Sequence, residues 1–120
     1  MARARIVHVM IDCHDPGRLV PFWCGLLGVD VAAEFGEAFV FLSAPSPRGV
    51  AVGFQRVPEG KVVKNRVHPD LEVDDLVGVT AWVADNGGSL VAERDEGGAR
   101  WNVVADPEGN EICLVQARSA

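Results

Sequence analysis

Two stretches of this chain, sixty residues apart, carry the same residue kinds in the same order, and this repetition restricts the available folds most. His8 answers His68, Asp15 answers Asp75, and Gly28 answers Gly88. Val31 answers Val91, Pro47 answers Pro107, and Gly49 answers Gly109. Each stretch opens on alternation, and a strand sends alternate side chains to opposite faces. In residues 6–15, Val7, Val9, Ile11 and Cys13 oppose Ile6, His8, Met10 and Asp12. In residues 66–75, Val67, Leu71 and Val73 oppose Arg66, His68, Asp70 and Glu72. Pro69 falls on the apolar side and cannot donate to a ladder, which suits an edge strand. The pattern is an internal duplication of two halves.

After each alternating stretch comes a helix signal. Asp15 can cap a helix with Pro16 in its first position, where a missing N–H costs nothing. Leu19, Phe22, Trp23, Leu26 and Leu27 recur at helical spacing, and Gly28 closes the run. Pro21 lies inside it and should kink or shorten it. The second helix spans about 76–85, with Leu76, Val79 and Val83 on its apolar side and Asn86-Gly87-Gly88 as the stop. Further strands are expected at 29–34, 37–43 and 50–57 in the first half. The second half should supply 89–94, 99–105 and 110–116, with Asp106-Pro107-Glu108-Gly109-Asn110 as a turn before the last. Each half thus reads βαβββ: a first module at 1–57, a linker at 58–65 rich in Pro, Gly and charge, and a second module at 66–120. The fold class is α+β, two βαβββ modules whose curled mixed sheets enclose a cavity.

Composition narrows the partners. A net charge of −6 without a basic stripe argues against nucleic acid or an anionic membrane surface. His8, Asp12 and His14 interrupt the apolar run behind Arg3 and Arg5, so no signal peptide is expected, and no run is long enough for a membrane span. Three cysteines, Cys13, Cys24 and Cys113, without CxxC spacing favour a reduced, cytoplasmic protein.

If each helix covers the apolar face of its sheet, the opposite faces hold the chemistry. His8, Met10, Asp12 and Gln55 would face inward from the first half. Arg66, His68, Asp70, Glu72, Glu111 and Cys113 would do so from the second. Two histidines from equivalent strands are a nucleus for a metal site, and equally residues that line a pocket and hydrogen-bond to neighbours. Cys113 reads either as a ligand or as a small buried hydrophobe. Trp101 is either core or a stacking wall. Arg66 can pair with Asp70, with Glu72 or with an anionic ligand.

Three segments carry a family resemblance: IVHVMIDCHDPGRLVPFWCGLLG, NRVHPDLEVDD and WNVVADPEGNEICLVQ. Together they make up 50 of the 120 residues and are spread from residue 6 to residue 116. It resembles the vicinal oxygen chelate superfamily, which includes glyoxalase I, bleomycin-resistance proteins and extradiol dioxygenases, and most resembles the short bacterial glyoxalase-like domain proteins. The resemblance implies paired βαβββ modules, a homodimer, and a small oxygenated ligand. It implies either a lyase or isomerase that depends on a divalent metal, zinc or another, or a binder that sequesters an antibiotic or metabolite.

In metal-dependent relatives, histidines on the first and fifth strands and carboxylates on the fourth and eighth hold the ion. His8 and His68 match the histidines. The carboxylate positions fall on Gln55 and Cys113, so both carboxylates are replaced. Neutral Gln and soft Cys are poor partners for a hard ion, and a thiolate favours zinc. The metal set implied is His8 and His68, with Gln55 and Cys113 as further positions. Arg66, Asp70, Trp101 and Glu111 are the expected substrate-pocket residues.

Overall fold

A computed structural model describes residues 3–118. Contacts within the chain separate it into two units that meet between Gly60 and Lys61. The first contains β1 (His8–Cys13), α1 (Pro16–Leu27), β2 (Val31–Phe35), β3 (Phe39–Leu42) and β4 (Ala51–Arg56). The second contains β5 (Asp70–Val73), α2 (Leu76–Asp85), β6 (Ser89–Glu96), β7 (Ala99–Ala105) and β8 (Glu111–Gln116). Both are βαβββ, and their strand orders match: β1-β4-β3-β2 in one sheet, β5-β8-β7-β6 in the other. The first and last strand of each unit pair in parallel, and the remaining neighbours are antiparallel. The α+β class and the two modules therefore stand as read from the repeat.

Local chemistry sets the helix ends. Asp15 accepts a hydrogen bond from the Gly17 amide at 3.0 Å, and Pro16 opens α1. Gly28 closes it with φ of 67°, a left-handed conformation that glycine adopts without a Cβ penalty. The expected shortening at Pro21 does not occur, and the helix is one element from Pro16 to Leu27. One lost ladder bond is outweighed by the burial of Leu19, Phe22 and Trp23 on both sides of it. In α2, Asp75 accepts from the Gly78 amide at 2.9 Å.

Each helix covers one face of its own sheet. Trp23 packs against Phe54 with ring centroids 6.4 Å apart, and Phe54, Val40 and Leu42 are buried beneath α1. In the second unit Leu76 and Val83 of α2 are buried, as are Val104, Ile112 and Leu114 of the sheet. Asn102 donates to the Thr80 hydroxyl at 2.9 Å, and the Leu76 amide donates to the Gln116 side chain at 3.0 Å. Those bonds fix which face of β7 and β8 lies under α2, so their alternate residues lie on the open face.

Two strands begin later than the alternation suggests. β1 starts at His8, leaving Ile6 and Val7 exposed. β5 starts at Asp70, not Arg66. The lead-in still touches the sheet, because the Cys113 amide donates to the Pro69 carbonyl at 3.0 Å. Pro69 has no N–H to return, so regular pairing begins after it. Val67 is 82% exposed and forms no part of an apolar face. No helix among the described residues is long and apolar enough to cross a membrane.

Candidate functional site

In the first unit the open face is read from strand register. His8 pairs with Ala51, Met10 with Gly53 and Asp12 with Gln55 across β1 and β4. Phe39 pairs with Gln55, and Phe41 with Gly53, across β3 and β4. Paired residues share a face, so His8, Met10, Asp12, Gln55, Phe39 and Phe41 lie together, away from α1. The His8 ring meets Phe41 edge-on at 5.1 Å, and Phe35 meets Phe41 the same way at 5.8 Å. The Met10 thioether lies over Gly53, where a Cβ would sit only 2.7 Å from its sulfur. The result is an aromatic floor with one imidazole, one amide and one carboxylate along its β1 and β4 side.

The second unit has the same frame and different chemistry. Asp70 pairs with Cys113 and Glu72 with Val115 across β5 and β8. Trp101 pairs with Val115, and Ala105 with Glu111, across β7 and β8. Asp70, Glu72, Trp101, Glu111 and Cys113 therefore share the open face. His68 precedes β5, and its Nδ1 lies 3.1 Å from an Asp70 carboxylate oxygen. One ligand atom each from His68, Asp70 and Cys113 fall within 4.8 Å of one another. His68 and Asp70 are exposed, with side-chain accessibilities of 46% and 62%, while Cys113 is buried. Burial pushes the Cys113 thiol up, and the field of Asp70 and its hydrogen bond to the thiol add to this. The free thiol is therefore held protonated and is a poor nucleophile.

Glu111 is engaged elsewhere. It accepts from the Asn65 amide at 3.0 Å and from Lys64 Nζ at 3.2 and 3.3 Å. The Asn65 bond is the main reason its carboxyl sits below the usual carboxylate range. Lys64 adds to the lowering, and burial works against it. Arg66 is exposed on the lead-in to β5.

Of the four expected ligand positions, His8 and Gln55 lie in the first unit and His68 and Cys113 in the second. His8 and Gln55 share a face, but each pairs with a different residue, four positions apart along β1. By strand pairing, the first-unit counterpart of Cys113 is Gly53, and that of Asp70 is Met10. His68 and Cys113 do come together, and Asp70 joins them. Sequence reasoning placed Asp70 in a pocket, not beside a ligand set. It also passed over Phe39 and Phe41, although their period-two spacing signals a shared face.

Comparison with known proteins agrees with this architecture. A sequence family described as "Glyoxalase-like domain" matches residues 8–115. Among solved structures, a glyoxalase/bleomycin resistance protein/dioxygenase family enzyme from Burkholderia phytofirmans PsJN is 17% identical, with a TM-score of 0.79 over 96% of this chain and 100% of that one. The trypanothione-dependent glyoxalase I of Leishmania major is 23% identical, with a TM-score of 0.69 over 95% of this chain and 87% of that one. A bleomycin-binding protein from Streptomyces verticillus, solved with copper(II)-bleomycin, is 16% identical, with a TM-score of 0.66 over 98% of this chain and 100% of that one. None of the curated proteins matches the chain.

Proposed function

The chain belongs to the glyoxalase-like domain family, and from that premise we propose that it binds a small oxygenated molecule on the open face of its first sheet. The observation that carries this reading is the aromatic floor of Phe35, Phe39 and Phe41, bordered by His8 and Gln55. Aromatic rings give a planar ligand a stacking surface, and imidazole and amide give its oxygens hydrogen-bond partners. The set of donors at the expected metal positions does not suit a hard catalytic ion, which favours a sequestering protein over a two-carboxylate metalloenzyme. Three cysteines outside any disulfide fit a reduced cytoplasmic setting, and we propose a homodimer on the family resemblance alone.

The test is an NMR titration of the full chain with three probes: catechol, phenylpyruvate and bleomycin. At least one should shift resonances of β1, β3 and β4 in a saturable way. Phe41→Ala should weaken that probe about tenfold, the worth of one aromatic contact. If no probe shifts these strands, or Phe41→Ala binds equally well, the reading fails.

One observation favours a second reading, in which the protein is a lyase or isomerase. His68 Nδ1 against Asp70 leaves Nε2 free, and a carboxylate so placed fixes the imidazole tautomer for proton transfer. In that case His68→Gln abolishes turnover of a glutathione–2-oxoaldehyde adduct while binding of the adduct persists.

A further inference from the structure

The two halves differ where the parallel strand pair ends and the helix begins. In the second unit Val73 pairs with Gln116 at that end, and in the first Cys13 pairs with Arg56. Sixty residues apart, His14 answers Asp74, Asp15 answers Asp75, Pro16 answers Leu76 and Arg56 answers Gln116. Gln116 is drawn onto the start of α2. Its side chain accepts from the Leu76 amide at 3.0 Å and donates to the Asp74 carbonyl at 2.8 Å. The first unit cannot copy this, because Pro16 has no N–H to give and a guanidinium accepts nothing. Arg56 instead reaches outward to Glu37 at 3.3 Å, and beside it lies an open cleft of about 430 Å³ lined by His14, Arg56, Val57 and Pro58. From this contrast we infer that the cleft binds a small organic oxyanion, a phosphate monoester or a carboxylate, through Arg56 and His14.

The chemistry of the lining supports an anion. A guanidinium is a planar fork of N–H donors that matches two oxygens of a carboxylate or phosphate. Imidazole supplies a second donor from the adjoining strand end. Val57 and Pro58 add an apolar wall for a short carbon body, and the volume falls in the range of small-molecule clefts. The acidic groups nearby do not compete strongly. Asp15 accepts from the Gly17 amide at 3.0 Å. Among the described residues Glu37 is the one side-chain partner of the guanidinium, through Nη1 alone, and both side chains are exposed. Such a pair is weak, so a ligand oxyanion can take its place.

The cleft is separate from the aromatic floor. Arg56 follows the buried Phe54 by two residues, which puts it on the α1 side of the sheet, while Gln55 lies on the open face. All four lining residues belong to the first unit, so the site is complete within that half. The helix amides are not the ligands: Pro16 has none, and those of Gly17 and Arg18 are bonded to Asp15.

The experiment is an NMR titration of the full-length chain at constant ionic strength with n-butyl phosphate, butyrate and n-butanol. At least one anion should shift the amides of His14 and Val57 and the Arg56 side chain saturably, at one equivalent per chain, and the alcohol should not. A response to the phosphate alone or to the carboxylate alone supports the inference and names the oxyanion. Arg56→Gln, which installs the second unit's residue at an exposed position, should weaken binding about tenfold or more, and Arg56→Lys should restore only part. His14→Ala should weaken it about three- to tenfold. Glu37→Gln releases Arg56 and should tighten binding by up to about fivefold, which a purely structural role for the arginine would not produce. Arg48→Ala, an exposed arginine outside the cleft, should change nothing. The inference is overturned if neither anion gives saturable shifts, if n-butanol shifts the same amides, or if Arg56→Gln binds as wild type. A loss with Glu37→Gln, or a loss with Arg48→Ala equal to that with Arg56→Gln, overturns it too. These probes carry no aromatic ring and the readout lies off the open face, so this inference and the binding reading above fail separately.

Discussion

Replacing Glu111 should loosen the segment ahead of β5 more than it disturbs β8 itself. The carboxylate holds two groups of that segment at once. Its bond from the Asn65 amide is charge-assisted and 3.0 Å long, a type worth about 1.5–3 kcal/mol when one partner is ionised. Its pairing with Lys64 contributes less, because the lysine side chain is 72% exposed, and such pairs give about 0–1 kcal/mol. The backbone bond therefore dominates. Glu111→Gln keeps an acceptor for Asn65 and loses only the charge, so a cost of about 1 kcal/mol is expected. Glu111→Ala removes the acceptor and should cost about 2 kcal/mol. Hydrogen exchange at the Asn65 amide reads this directly: about 2 kcal/mol corresponds to roughly 30-fold faster exchange if local opening is the route.

Acid supplies a second reading of the same bond. The Glu111 carboxyl is held below its ordinary range in the folded chain, chiefly by the Asn65 amide. A lowered folded-state value means the stabilisation is complete above the unfolded-state value and disappears as pH falls through the folded one. Urea unfolding should thus separate wild type from Glu111→Gln by a constant amount near pH ~7, and the gap should close toward pH ~3. If Asn65 exchanges at the wild-type rate in Glu111→Ala, or the gap persists in acid, the carboxylate does not anchor this segment.

Two further substitutions probe the frame. A Cβ at Gly53 would stand 2.7 Å from the Met10 sulfur and 3.2 Å from a Phe41 ring carbon. Gly53→Ala should therefore cost about 1–2 kcal/mol in urea unfolding, and Met10→Ala in the same chain should recover much of it through a non-additive cycle. Asp75→Ala removes the acceptor for the Gly78 amide and should cost about 1 kcal/mol, whereas Asp75→Asn should cost a few tenths, as read from unfolding midpoints.

Much of the fold was legible because it rests on local rules. Asp15, Pro16 and Gly28 bracket α1 by caps alone, and the spacing of Leu19, Phe22 and Trp23 names its buried side. The repeat then supplies the second unit. Where β5 begins was not legible: the alternation runs on through Arg66 and His68, and only the pairing with β8 shows that the ladder starts after Pro69. The candidate site was legible in part for the same reason. Alternation assigns Asp70 and Cys113 each to an open face, but their adjacency depends on parallel register between distant strands. The engagement of Glu111 by Lys64 and Asn65 is likewise a contact across the unit that no spacing rule reveals.

The duplication explains why identical frames need not share chemistry. A βαβββ unit is stabilised by the face under its helix, where Phe54 in one half and Leu114 in the other are fully buried. The open face carries less of that demand, and its exposed positions, His8 and Asp70 among them, can change without unfolding the sheet. In the first unit that freedom has produced hydrophobic contacts: Met10 fills the space above Gly53, and His8 rests on Phe41. In the second, the same two pairing positions hold Asp70 and Cys113, and His68 turns to the carboxylate. A histidine beside a phenylalanine is a polar edge on an apolar floor. A histidine beside a carboxylate and a thiol is part of a polar cluster, and that difference in neighbours, not the histidine itself, gives the two halves different chemistry.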